Sequence, residues 1–274
     1  VAEAVDSDRE RLMTEARYGD VTVSLENHVA WVEIHRPPHN YFDPQLIGDV
    51  AGAFEALDQE RECRALVLAS EGKSFCAGAD FSEAAQSGGN ELESSRAERV
   101  YAQAIRLFAT RKPVVAAIQG AAVGGGLGLA LTADFRVVSP LARFSGNFTK
   151  LGLHPGFGVT HTLPRLIGVQ RASLMFYTAR RITAEEAVAW GLADVLASPE
   201  RLRDEARKLA GEIAECAPLA VQATRATLRR GLADAVKAAL EHELAEQGRL
   251  ARTADHKEGI RAVSERRAGR FEGR

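Results

Sequence analysis

Cysteine is scarce in this chain and badly placed for cross-linking. Cys63, Cys76 and Cys216 are an odd number at wide spacings, which excludes a disulfide framework or a CxxC metal site and makes a reducing cytoplasm the expected setting. No charge of one sign dominates, since 35 basic and 37 acidic residues leave a formal net charge of -2. A nucleic-acid or acidic-membrane partner would favour a strongly basic face, so neither is expected. Residues 1–20 are charged (Glu3, Asp6, Asp8, Arg9, Glu10, Arg11) and lack a continuous apolar stretch, so no secretory signal is expected.

Several signatures are also missing. Gly124-Gly125-Gly126 and Gly126-Leu127-Gly128 each meet a leucine where the third glycine of a dinucleotide fingerprint belongs. There is no GK[ST] phosphate loop and no GxSxG nucleophile elbow. Metal and flavin cofactors have no visible ligand set or motif, so no cofactor is expected. The uncharged run 114–133 is about one bilayer span long. Its glycines (120, 124, 125, 126 and 128) and Gln119 suit a tight buried turn better than a membrane helix, and its flanks lack juxtamembrane anchors.

What is present describes an ordinary globular protein: 274 residues, 46% hydrophobic and 26% charged, enough for one large domain or one domain with an extension. Residues 21–25 and 28–35 alternate apolar and polar side chains about Glu26 and Asn27, predicting a β-hairpin. Arg36-Pro37-Pro38-His39-Asn40 stops the second strand, because proline cannot continue a ladder. Asp43 and Pro44 supply an N-cap and a first-turn proline for a helix with Leu46, Val50, Phe54 and Leu57 on its apolar face.

The apolar runs 65–70, 114–118 and 135–138 predict buried strands, and 96–109 and 126–132 predict helices. The polar stretch 82–95 reads as a surface loop, with a lid as the alternative. This alternation implies an α/β core. After Pro199 three segments, 199–215, 219–230 and 232–251, are helical and rich in Ala, Glu, Arg and Leu. The expected organisation is an N-terminal extension (1–20), a core (21–198) and a C-terminal helical oligomerisation region (199–274).

Two loops share a plan. Ser74-Phe75-Cys76-Ala77-Gly78-Ala79-Asp80 leaves one buried strand through small residues. Ile118-Gln119-Gly120-Ala121-Ala122-Val123-Gly124-Gly125-Gly126 leaves another and enters a helix. Small residues let a ligand atom reach the backbone, and a helix start adds free N–H donors. Two such donors on one carbonyl oxygen form an oxyanion hole. Close packing alone is the competing explanation for the glycines.

Phe75-Cys76-Ala77-Gly78-Ala79-Asp80, and Gly120 through Ala130 followed by Asp134, resemble the paired signature of the crotonase (enoyl-CoA hydratase/isomerase) superfamily. Four further segments resemble that family in its own order. They are His35-Arg36-Pro37-Pro38-His39-Asn40, Leu151-Gly152-Leu153-His154-Pro155-Gly156-Phe157-Gly158, the stretch from Ala179 to Asp194, and Glu258-Gly259-Ile260-Arg261-Ala262.

The resemblance implies an α/β spiral of ββα units, with C-terminal helices that assemble trimers or dimers of trimers. It also implies a coenzyme A thioester substrate, with the thioester oxygen on the backbone N–H groups of Ala79 and Gly125. Ala77, Gly78, Asp80 and Phe81 would lie along the adenine and pantetheine, and Gly124 beside them in the second loop. Arg36 would meet the coenzyme A phosphates or form a surface salt bridge. A family lysine two residues after the loop aspartate is Ser82 here, and Arg266 or Arg267 of a neighbouring subunit could replace it.

The resemblance also exposes a departure. Hydratases of the family place one catalytic glutamate three residues after the oxyanion glycine and a second in the strand before the Leu-Gly loop. Those positions hold Gly128 and Phe148, and neither can titrate. Phe148 would instead face the acyl group. What remains is an oxyanion hole in an apolar pocket, with His154, then Asn147 and Asp80, as polar helpers. Histidine titrates near neutral pH. Decarboxylation, retro-Claisen cleavage and thioester hydrolysis fit such a site. A non-catalytic thioester-binding paralogue, or a hydratase with relocated acids at Glu83 or Glu185, are the alternatives.

Overall fold

The computed structural model describes residues 15–80 and 91–274, with side chains from residue 95 onward in the second stretch. A seven-stranded sheet runs in the order β1-β2-β3-β4-β5-β7-β10. Its strands are β1 (Ala16–Tyr18), β2 (Val21–Glu26), β3 (Val29–Ile34), β4 (Ala65–Ser70), β5 (Val114–Ile118), β7 (Phe135–Val138) and β10 (Val195–Leu196). Pairing is antiparallel through β3 and parallel beyond it. A second sheet orders β6 (Ala121–Val123), β8 (Arg143–Ser145) and β9 (Arg181–Thr183).

The two sheets explain the spiral. The chain places a strand in the large sheet, then one in the small sheet, then a helix: β5, β6 and α3 (Gly125–Ala130) are one such unit. The next is β7, β8, a 3-10 turn (Asn147–Leu151) and α4 (Val159–Thr178). Each unit steps one position along both sheets, so loops that are distant in sequence stack at one end.

Local chemistry sets the elements. Asn27 (φ 50) and His28 (φ 67) are both left-handed, as a two-residue turn joining right-twisted strands requires. Asp43 caps α1 (Pro44–Gln59) by accepting from the Leu46 amide at 2.8 Å, with Pro44 in the first turn. Strand β4 is buried along its whole length. One face meets α1 and α2 (Glu91–Phe108), which also pack on each other.

The other face of the large sheet is covered by α6 (Leu202–Ala214), through Leu202, Ala206, Ala210 and Ala214. Arg203 and Arg207 of that helix lie 4.5 and 5.1 Å from the Trp31 ring centroid on β3. The first helix of the expected C-terminal appendage is therefore part of the sheet's own packing. Strand β1 likewise extends the sheet into the expected N-terminal extension. Helix α2 begins at Glu91, so residues 91–95 are helical where a loop was expected; the proposed lid otherwise lies outside the described residues.

Helix α5 (Ala184–Trp190) precedes β10. Three more, α7 (Pro218–Leu228), α8 (Leu232–Leu250) and α9 (Ala254–Ser264), complete the chain. Helix α8 packs on α2 and α4, and α9 packs on the 3-10 turn. Among the described residues no helix is long and apolar enough to cross a membrane; residues 114–133 are instead divided among β5, β6 and α3.

Candidate active site

The two glycine loops meet. The Cys76 amide donates to Ala121 O and the Val123 amide to Cys76 O, each at 3.0 Å, so the first loop joins β6 through a single parallel bridge between Cys76 and Ala122. This approach requires Gly126, where a β-carbon would overlap the Cys76 carbonyl. Gly78 has φ +91, and a β-carbon there would sit 2.8 Å from Val123 O. On the outer side the Phe42 amide donates to Gly78 O at 3.0 Å. The Gly125 amide nitrogen lies 3.8 Å from the place of that missing Gly78 β-carbon, so the Gly78 turn abuts the start of α3.

Gly124 makes the turn into α3 with φ 57 and ψ -121, a conformation open to glycine. Its own amide is held by Ser145 O at 2.8 Å, and the Gly128 amide closes onto Gly124 O at 3.2 Å. The amides of Gly125, Gly126 and Leu127 precede that first closing bond, as helix geometry dictates.

Aromatic rings surround these glycines. A β-carbon at Gly125 would overlap the Phe42 ring, and one at Gly128 would lie 2.6 Å from Phe157 Cδ1. The Phe42 and Phe157 centroids are 5.5 Å apart and tilted by 55°. Phe148, on the 3-10 turn, brings Cζ within 3.8 Å of the missing Gly124 β-carbon, and Asn147 Oδ1 lies 3.2 Å from that point. All three phenylalanines are buried. The groups against these glycines are thus rings, one amide side chain, the Cys76 side chain and backbone.

Other expected site residues are placed as follows. Ala77 is half-buried and tied to His39 O through its amide at 2.9 Å. Asp80 is exposed at the end of the loop, and Phe81 and Glu83 lie outside the described residues. Arg36 is engaged by Asp20 at 2.6 Å and Asp43 at 2.9 Å, so the salt-bridge alternative is the one formed here. Arg267 is paired with Glu258 and Glu265 of its own chain. Glu185 sits exposed in the first turn of α5.

His154 is half-buried. Its Nδ1 meets Pro155 O at 2.7 Å, and since a carbonyl only accepts, Nδ1 carries the proton in the neutral ring. Nε2 then holds the lone pair. The ring stands edge-on to His242 of α8 at 5.7 Å. Cys76 is fully enclosed and burial pushes its thiol up to about 12, which removes it as a nucleophile. Among the described residues no cluster of three or more His, Cys, Asp or Glu side chains is placed to hold a metal.

Sequence reasoning missed four residues. Asn40, fully buried, accepts from the Arg36 amide and donates to Glu71 O and Ser74 O, pinning the first loop. Phe42 and Phe157 wall the site, and buried Glu243 on α8 holds the loop that carries Phe157. For Phe157 the available signal was the absence of a side chain at Gly128. Its meaning depends on a contact between distant segments.

This arrangement, two sheets in a stepwise repeat whose glycine loops meet, is that of a known structural class. The family described as enoyl-CoA hydratase/isomerase matches residues 24–274. The chain is 36% identical to the (E)-benzylidenesuccinyl-CoA hydratase of Thauera aromatica, over 92% of this chain and 99% of that protein. It is 34% identical to a crotonyl-CoA hydratase of Syntrophomonas wolfei, over 93% and 98%. The crystal structure of an enoyl-CoA hydratase/isomerase from Pseudoalteromonas atlantica superposes with a TM-score of 0.82 at 28% identity, covering 92% of this chain and all of that one. The protein belongs to the enoyl-CoA hydratase/isomerase family and is an enzyme of the crotonase superfamily.

Proposed function

We propose that this enzyme binds an acyl-coenzyme A thioester with its carbonyl oxygen between the amides of Ala79 and Gly125, and that it stabilises the enolate without a carboxylate pair. Ala77, Gly78, Asp80, Phe81 and Gly124 would line the coenzyme, and Phe148 the acyl group. The observation that carries this reading is the meeting of the two loops: Gly78, Gly124 and Gly126 each hold a conformation or approach that a side chain would strain, which supports placing the Ala79 and Gly125 amides about one oxygen. Two preorganised donors are typically worth a few kcal/mol each once charge develops on the oxygen.

The same geometry disfavours water addition. Hydrating a double bond requires a general base and a general acid. The two positions that supply them in the family are Gly128 and Phe148, and aromatic rings take up the surrounding volume. Carbon–carbon cleavage fits better. In decarboxylation of a malonyl-type thioester, the electrons of the breaking bond move onto the carbonyl oxygen, carbon dioxide leaves, and the enolate carbon takes a proton from solvent, directly or relayed through His154. Cleavage of a β-ketoacyl thioester uses the same oxygen site.

The test is turnover of purified protein on malonyl-, β-ketoacyl- and crotonyl-CoA, followed by mass spectrometry with a binding titration alongside. Cleavage of the first or second with no hydration of the third is expected. Efficient hydration of crotonyl-CoA would overturn the reading, and tight binding without turnover on any of them would leave thioester binding alone. For assembly, Leu219 and Leu228 on α7 and Val169 and Tyr177 on α4 are all more than 70% exposed, which supports association between copies of the chain; the trimer or dimer of trimers is the form that the family resemblance implies.

A further inference from the structure

Phe157 is an unusual residue in an unusual place. It has φ 66, a left-handed conformation that strains a non-glycine residue. Yet it is buried, with its ring lying across one turn of α3: 3.4 Å from the missing β-carbon of Gly125 and 2.6 Å from that of Gly128. Three residues of helix span about 4.5 Å, so the ring occupies the space immediately beyond the proposed carbonyl-binding amide.

Its loop is held from α8. Glu243 is fully buried; Oε2 accepts from the Gly158 amide at 2.7 Å and Oε1 from the Thr160 amide at 3.0 Å and the Thr160 hydroxyl. Gln247 donates to His154 O and accepts from the Tyr101 hydroxyl, each at 2.8 Å. A side chain at Gly156 would overlap that hydroxyl. The strained residue is thus clamped on both sides by groups from another helix.

We propose, building on the thioester-binding reading, that Phe157 is the specificity-determining residue of the site: it closes the acyl end one turn beyond Gly125, restricting the enzyme to short acyl groups, and Glu243 is the positioning residue that keeps it there. An acetyl or malonyl group ends before the ring. A longer acyl chain running along α3 meets it.

The experiment is calorimetric binding of acetyl-, butyryl-, hexanoyl- and octanoyl-CoA to the wild type, Phe157→Ala and Glu243→Gln, with a melting curve for each. The wild type is expected to bind acetyl-CoA and to lose at least tenfold in affinity by octanoyl-CoA. Phe157→Ala should recover that tenfold, read as the ratio of octanoyl- to acetyl-CoA affinity within the same protein. Glu243→Gln presents an amide donor to one of the donors it must satisfy, so it should shift the chain-length profile in the same direction by a smaller factor. A purely structural role would weaken all four ligands alike and so exclude positioning. An unchanged profile in a folded Phe157→Ala protein overturns the proposal and leaves the thioester reading standing. No binding of any thioester by the wild type removes both.

Discussion

At the scale of single residues, the site is built by what is missing as much as by what is there. Gly126 has no room for a β-carbon because the Cys76 carbonyl occupies the position, whereas Gly211, inside α6, has nothing within 4 Å. Gly126→Ala should therefore destabilise the protein by roughly 1–3 kcal/mol, the usual cost of overpacking. Gly211→Ala should instead gain roughly 0.5–1 kcal/mol through helix propensity. Urea denaturation of both variants checks the sign of each change. His154 offers a free Nε2 if its proton sits on Nδ1. If it relays the final proton from solvent through Nε2, His154→Ala should slow turnover by about tenfold or more and alter the pH profile. An unchanged rate and profile would leave His154 a loop residue that bonds backbone.

At the scale of elements, much was legible because local chemistry decided it. The apolar runs 65–70 and 114–118 are β4 and β5 with those same bounds. The pairing of Asp43 with Pro44 marks the start of α1 because capping is a short-range interaction. The small sheet and the placement of α6 were not legible. Three-residue strands carry too little pattern, and the stripe of Leu202, Ala206, Ala210 and Ala214 at every fourth position shows that α6 has a buried face without showing what covers it. The glycine loops were recognised from their residue types. The ring filling the site was not, since Phe157 lies 29 positions from Gly128 in sequence.

Two helix starts give testable pH behaviour. For Asp43, burial raises the carboxyl's pKa, but the Leu46 amide and Arg36 outweigh it and hold the group below its ordinary value. A lowered folded value means stabilisation that is present above about pH 4 and lost as pH falls through it. Asp43→Ala should cost about 1 kcal/mol near neutrality, with the gap to the wild type closing in acid. Glu243 runs the other way. Burial raises its pKa, and the bonds from Thr160 and Gly158 only partly offset that. Its contribution is fully present below about pH 4 and declines as pH rises through the folded value. Wild type should therefore lose stability relative to Glu243→Gln on going from pH 4 upward. Parallel stability curves for the two proteins would contradict that shift.

At the scale of the whole molecule, the repeat is what creates the site. Each unit steps along both sheets, and this brings the loop after β4 against the turn between β6 and α3. The C-terminal helices then support that end: α8 holds the Phe157 loop, while α9 packs on the 3-10 turn bearing Phe148, with His256 Nδ1 donating to Leu151 O at 2.7 Å. Function on this account rests on backbone amides fixed by long-range packing, with few titrating side chains involved. The most direct measurement is the isotope-edited infrared spectrum of acetyl-CoA, carbon-13-labelled at the thioester carbonyl, bound to the protein. Two amide donors aimed at the oxygen weaken the carbonyl bond, so its stretch should move to lower frequency on binding. A carbonyl stretch unchanged from that of the free thioester, in a complex shown by titration to be saturated, would contradict the account.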